Sequence, residues 1–197
     1  MNDVTIGNPQ GTVNVTEAEI GWAAGIVDGE GTVVLFLGGR KNGKLNNVSP
    51  QVIVGNTDID LIERYVDILK RGGVGAYVSS REPKNITGVI NSKPATRKYK
   101  KLYVVSVVGF LRVKSLLSLI GSNLTGEKKK RADVMIRFID QRLAKAVQRG
   151  TKFGRAARFD LDDLLLIKEF CKFMKSKYEP LVDGLLRDYE QSRSKAA

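Results

Sequence analysis

Two carboxylates separated by one glycine, Asp28 and Glu30, close a stretch in which nothing from Ile20 to Val27 is charged. Carboxylate oxygens are the ligands Mg²⁺ prefers, although Asp-Gly-Glu-Gly after a helix is also an ordinary terminating turn. The chain has no histidine and a single cysteine, Cys171. That composition excludes zinc fingers, Cys/His metal sites, Ser-His and Cys-His nucleophile pairs, hydrolysis by a histidine base and any intrachain disulfide. What chemistry the chain does must rest on acids, lysines, amides and backbone oxygens.

The element that positions the two acids reads as a helix. Thr16 with Glu19 three residues on forms a capping box, so the helix starts near Glu17 and runs until Gly29 stops it. At helical spacing Gly21, Ala24, Gly25 and Asp28 fall on one stripe, with Ile20, Trp22, Ala23, Ile26 and Val27 on the other sides. Each interior glycine costs roughly 1 kcal/mol of helix propensity, which implies that another backbone comes close enough to compensate. Trp22 is expected in the core.

At 197 residues and 42% apolar content the chain is long enough for a real core. Its net charge of +12 is localised: residues 81–101 carry seven bases and one acid, residues 127–158 eleven and three, which leaves the remainder at −2. A footprint of that kind points to a polyanionic partner. No signal sequence opens the chain and no apolar run approaches the ~20 residues of a membrane span, so the expectation is a soluble intracellular protein, in the cytoplasm, nucleoid or an organelle matrix, with no membrane partner.

In chain order, residues 1–15 read as a loosely attached arm. Thr32 to Leu37 is a strand, residues 38–44 a turn, and Ser49 to Asn56 the returning strand. Residues 58–71 form an amphipathic helix capped by Thr57 or Asp58 and closed by Gly72-Gly73. A second strand pair follows, near residues 74–81 and 101–108, with a long polar connection between them. Residues 110–120 and the basic stretch 127–147 are helical, and 148–158 is a basic loop. A further helix runs from Asp160 to about Tyr178, and Pro180 separates it from a short last helix near Leu181 to Gln191. The αββαββα order predicts an α+β fold, a four-stranded antiparallel sheet with helices on one face and an open face fit for nucleic acid, followed by C-terminal helices. The organisation expected is an arm (1–15), a core (16–147) and a basic loop with a helical extension (148–197).

Ala23-Ala24-Gly25-Ile26-Val27-Asp28-Gly29-Glu30-Gly31 resembles the LAGLIDADG motif of homing endonucleases, and the element order after it is that family's fold; the resemblance covers roughly residues 17–147. Two positions depart from the motif: Ala23 replaces its first Leu, and Glu30 replaces its final Asp, keeping the carboxylate but lengthening its reach. The resemblance implies a site-specific double-strand DNA endonuclease. Gly21, Ala24, Gly25 and Asp28 would then pack against the same helix of a partner domain. One clear motif per chain implies a homodimer on a long pseudo-palindromic DNA site, since Leu181-Val182-Asp183-Gly184 lacks the small pair and the following acid.

Phosphodiester hydrolysis without histidine is most readily done with metal ions that generate hydroxide and neutralise developing charge. The resemblance makes Mg²⁺ (or Mn²⁺) the cofactor, held by Glu30 and the Gly29 carbonyl from each subunit, with cleavage across the minor groove leaving short 3′ overhangs. It also assigns catalytic roles to Asn56, which would order water near the metal, and to Lys128, which would polarise water or stabilise the transition state. Lys130 competes with Lys128, Lys128 is equally a plain phosphate contact, and Asn56 is equally a turn residue.

For base reading, parity with Glu30 puts Thr32, Val34, Phe36, Gly38 and Arg40 on the DNA face, opposite Ser49, Gln51 and Ile53 of the return strand. Val34 and Phe36 suit thymine methyls, and Arg40 or Arg81 guanine. Lys41, Lys44, Lys98, Lys100, Lys130, Lys152 and Arg155 complete the DNA-binding set. A one-residue slip of strand parity would instead make the apolar members core. Two other readings stay open on the same residues: an RNA-binding intron maturase, and a catalytically silent DNA-binding regulator, against which the acid at Glu30 counts.

Overall fold

A computed structural model describes residues 4–5, 15–41, 44–83, 85–90, 93–148, 159–173 and 178–194. The elements are β1 (Val4–Thr5), α1 (Glu17–Glu30), β2 (Gly31–Lys41), β3 (Lys44–Asn56), α2 (Ile59–Arg71), β4 (Tyr77–Arg81), β5 (Asn85–Ile90), β6 (Lys93–Lys98), β7 (Leu102–Val108), α3 (Phe110–Ile120), α4 (Gly126–Gln148), α5 (Leu161–Cys171) and α6 (Glu179–Ser194).

Four long strands, ordered β4-β7-β3-β2, form an antiparallel sheet. The arm contributes a fifth: Val4 and Thr5 pair with Val78 and Tyr77 on the outer edge of β4, so this part of it is attached to the sheet. Alternate residues Val33, Leu35, Leu37, Val52, Val54, Val105 and Val107 are buried against α1 to α4. The other sheet face carries no helix among the described residues. Period-2 alternation therefore decides which side chains are core and which are presented.

Several boundaries differ from the sequence reading. The first hairpin continues through the expected turn, with Gly38 paired to Asn47 and Lys41 to Lys44, and the intervening Asn42-Gly43 is a residue pair that favours a tight hairpin. The polar connection between β4 and β7 is itself a hairpin, β5–β6, with Asn85 opposite Lys98 and Val89 opposite Pro94. Gly88 and Pro94 read as loop residues, yet a two-stranded ribbon has only edge strands, where proline is tolerated. Helix α5 ends at Cys171, well short of Tyr178. Pro180 lies inside the first turn of α6, where its missing N–H leaves no intrahelical bond unmade.

The C-terminal helices continue the core. Leu164, Ile167, Phe170, Val182 and Leu186 belong to the same apolar cluster as the sheet residues. A charged group that periodicity does not reveal joins them to α4. Arg142 and Asp163 form an ion pair at 2.9 Å with both side chains buried, Gln141 Nε2 donates to Asp163 Oδ1 at 2.8 Å, and Lys145 reaches Asp160 and Asp163 at 2.6 and 3.1 Å. Asp160 caps α5 with Asp163 in a capping box.

Candidate functional site

The capping box of Thr16 and Glu19 starts α1 as its sequence predicts. The helix does not stop at Gly29. It runs through Glu30, and Gly31 ends it, its N–H donating to Val27 O. The Gly31 backbone is extended and leads straight into β2, where a Cβ would lie 2.8 Å from Val27 Cα. Glycine is thus required at the helix-to-strand joint, and Glu30 is held exposed at that joint.

The stripe on α1 needs one correction. Ala24 is fully buried with Ala23 and Val27, on the side packed against the chain's own core. The exposed small residues are Gly21, Gly25 and Gly29, and a Cβ built on any of them meets nothing within 4 Å. Alanine fits a close contact with either neighbour, so small size did not reveal which side it takes. Trp22 is half-buried rather than enclosed, and the Arg64 guanidinium stacks over its ring at 4.5 Å.

Asp28 also faces its own chain. Its Oδ2 accepts from Thr125 N at 2.9 Å and from Thr125 Oγ1 at 2.8 Å, tying α1 to the residue before α4. Lys128, in the first turn of α4, donates from Nζ to Val27 O at 2.8 Å and to Asp28 O. The last turn of α1 contains no basic residue of its own, so this lysine supplies the cation that the carbonyl end of a helix favours. Lys128 and the Asp-Gly-Glu turn, 100 residues apart in sequence, thereby meet in space. Lys130 points elsewhere and is exposed. A cavity of about 280 Å³ opens beside the junction, lined by Asp28, Thr125, Gly126, Glu127, Lys128 and Arg131.

Asn56 ends β3, and its Oδ1 accepts from Asp58 N at 2.9 Å, while Asp58 caps α2. Its carbonyl oxygen is therefore engaged in the strand-to-helix turn. Among the described residues no three His, Cys, Asp or Glu gather to hold a metal ion. The oxygens one chain offers at the α1 end are the exposed Glu30 carboxylate and the nearby backbone carbonyls.

On the open sheet face the predicted parity holds. Thr32 pairs with Ile53, Val34 with Gln51 and Phe36 with Ser49, all outside the core, and Phe36 is 47% exposed. Gly38 makes room for that ring, because a Cβ there would lie 2.8 Å from Phe36 Cε1. The row extends across β7 and β4 in a way the sequence reading did not name: Ile53 faces Ser106, which faces Tyr77, and Val104 faces Ser79. Ser106 and Val104 alternate with buried Val107 and Val105, so the positions next to the buried ones would have found them. Tyr77 is fixed by Arg112, whose Nη1 donates to its hydroxyl at 2.6 Å.

Arg81 and Lys100 are exposed at the foot of the β5–β6 hairpin. Arg40, Lys41, Lys44 and Lys98 lie on hairpin strands, but their side chains are outside the described residues, as are Lys152 and Arg155 altogether. No helix among the described residues is long and apolar enough to cross a membrane.

Solved structures match this arrangement along most of the chain. The homing endonuclease I-CvuI, solved with DNA in two complexes, one with magnesium and one with calcium, superposes with TM-scores of 0.53 and 0.54 at 16% identity. The match to the first covers 88% of this chain and 96% of that one. The intron-encoded homing endonuclease I-CeuI, also solved with DNA, gives 0.53 at 14% identity, over 90% of this chain and 78% of its own. The chain has the LAGLIDADG homing-endonuclease fold. No protein-family model and no curated protein matches its sequence. In that fold α1 is the first helix, and the four-stranded antiparallel sheet that follows it is the one its order of elements predicts.

Proposed function

We propose that the chain is a site-specific double-strand DNA endonuclease of the homing type, working as a homodimer on a long pseudo-palindromic site. The observation that carries this reading is the meeting of Lys128 with the Asp28–Glu30 turn, at the end of a helix whose exposed stripe is glycine. Glycine in a helix costs about 1 kcal/mol per residue, and no packing among the described residues offsets that at Gly21, Gly25 or Gly29. A second copy of α1 laid along the stripe would offset it, and would bring two Glu30 carboxylates close together.

The donor set fits a hard divalent cation, Mg²⁺ or Mn²⁺. Glu30 and the Gly29 carbonyl would hold it, with the partner's equivalents, DNA phosphates and water completing the shell. Such an ion supplies a nucleophile from water at neutral pH and neutralises the charge that develops on the phosphate. The remaining work belongs to the chain. Lys128 places a positive charge beside the turn, and Asn56 is proposed to help order water at the sheet end. Gly21 and Gly25 would shape the subunit contact, and Asp28 would brace it by holding the helix end to its own chain. The DNA complexes of I-CvuI and I-CeuI support duplex DNA as the ligand of this fold.

The open face would follow one half-site. Thr32, Val34, Phe36, Ser49, Gln51 and Ile53 meet base edges there, while Arg40, Lys41, Lys44, Arg81, Lys98, Lys100, Lys130, Lys152 and Arg155 add base or phosphate contacts. Cleavage across the minor groove with short 3′ overhangs completes the reading. A duplex library incubated with the protein and Mg²⁺ tests it: discrete double-strand cuts at one sequence are expected. Tight RNA binding without DNA cleavage would overturn it in favour of a maturase.

A further inference from the structure

Thr125 has no charge and lies in neither basic stretch, yet it supplies both hydrogen bonds that reach the Asp28 carboxylate among the described residues. The other oxygen, Asp28 Oδ1, is buried and has no hydrogen-bond partner among the described residues. Thr125 directly precedes Gly126, the first residue of α4, whose φ of +55° is one that favours glycine. In the reverse direction Lys128 of α4 donates to the carbonyls of Val27 and Asp28. The two helices are therefore latched twice: α1 offers a carboxylate to donors at the start of α4, and α4 offers an ammonium to carbonyls at the end of α1.

Glu30 lies two residues beyond Asp28 and is itself exposed, so this latch is what fixes the helix end from which it projects. We infer that Thr125 is a positioning residue for Glu30, acting through Asp28 to set where the metal-binding carboxylate stands. The inference rests on the nuclease reading of Glu30 and adds to it a residue outside the motif. Lysine alone holds carbonyls by a flexible stem. The short threonine side chain and its backbone N–H fix the direction of approach.

Thr125→Val removes the Oγ1 donor at constant shape and keeps the N–H, while Thr125→Ser keeps both. The first readout is hydrogen exchange in the free protein, at the Gly31 amide, which donates to Val27 O in the last turn of α1. Valine is expected to speed exchange there about 10-fold, leaving amides of α2 unchanged, and serine to restore the wild-type rate. The second readout is cleavage. Valine should raise the Mg²⁺ concentration for half-maximal cutting several-fold and slow single-turnover cleavage about 10-fold, with DNA affinity in the absence of Mg²⁺ unchanged within about 2-fold. Wild-type exchange at Gly31 with an unshifted Mg²⁺ midpoint would overturn the inference, and so would acceleration spread equally over α2. A wild-type protein that cuts no duplex overturns the nuclease reading by itself, and the exchange result then decides the latch alone.

Discussion

Lys128 has two claims on it, and they make separable predictions. Its ammonium sits on the carbonyl end of α1, so Lys128→Met should lower stability in urea denaturation by about 0.3–2 kcal/mol, the range for a cation at a helix C-terminus. Unchanged stability would mean that the contact does not form in solution. The motif residues were legible because their types are constrained: an acid, a backbone-exposing glycine and a run without charge. The contact between Lys128 and Val27 was not legible in its geometry, since no local pattern links positions 101 apart. Ala24 shows the opposite failure, a residue on the right helix whose small size is compatible with both of its faces.

Among the elements, α1 and α2 are joined by Glu19, whose carboxylate takes the Arg71 guanidinium at 2.5 Å. That hydrogen bond, helped by the Thr16 N–H, lowers the Glu19 pKa from 4.5 to about 2. A carboxyl depressed in the folded state contributes stability that is fully present above its unfolded value and is lost as pH falls through the folded one. The difference in denaturation midpoint between wild type and Glu19→Gln should therefore be largest above pH 5 and shrink between about pH 4.5 and 2. A difference independent of pH would contradict the pairing.

The Arg142–Asp163 pair makes the stronger demand, since both partners are buried. Arg142→Met leaves the buried Asp163 with only Lys145 as a cation partner among the described residues and is expected to cost about 3 kcal/mol in thermal or urea unfolding, the low end for breaking a buried pair. A change under ~1 kcal/mol would show that α5 does not dock on α4 through this pair. Strand parity at this scale had to be counted from Glu30, because Val33 to Leu37 is apolar at every position and its own pattern does not choose a face. The β5–β6 hairpin was hidden by Gly88 and Pro94, whose turn chemistry outweighs the weak alternation of a short edge ribbon.

Across the whole molecule, an excess of +12 concentrated in two stretches and an uncovered sheet face call for a partner that is polyanionic and long. The uncovered stripe of α1 calls for a second one. A Cβ at position 25 meets open space, so Gly25→Leu should fold with unchanged circular dichroism yet sediment as a monomer, against the dimer proposed for the wild type. A Gly25→Leu protein that remains dimeric would place the subunit contact elsewhere.

Glu30→Gln separates most directly the two tasks of the proposed nuclease, metal chemistry at Glu30 and recognition on the sheet. On the duplex that the wild type cuts in Mg²⁺, the variant should bind with affinity within about 2-fold of wild type and leave both strands intact, because it loses a ligand charge at an exposed position that touches none of the core. Cleavage by Glu30→Gln at the wild-type rate would contradict the account.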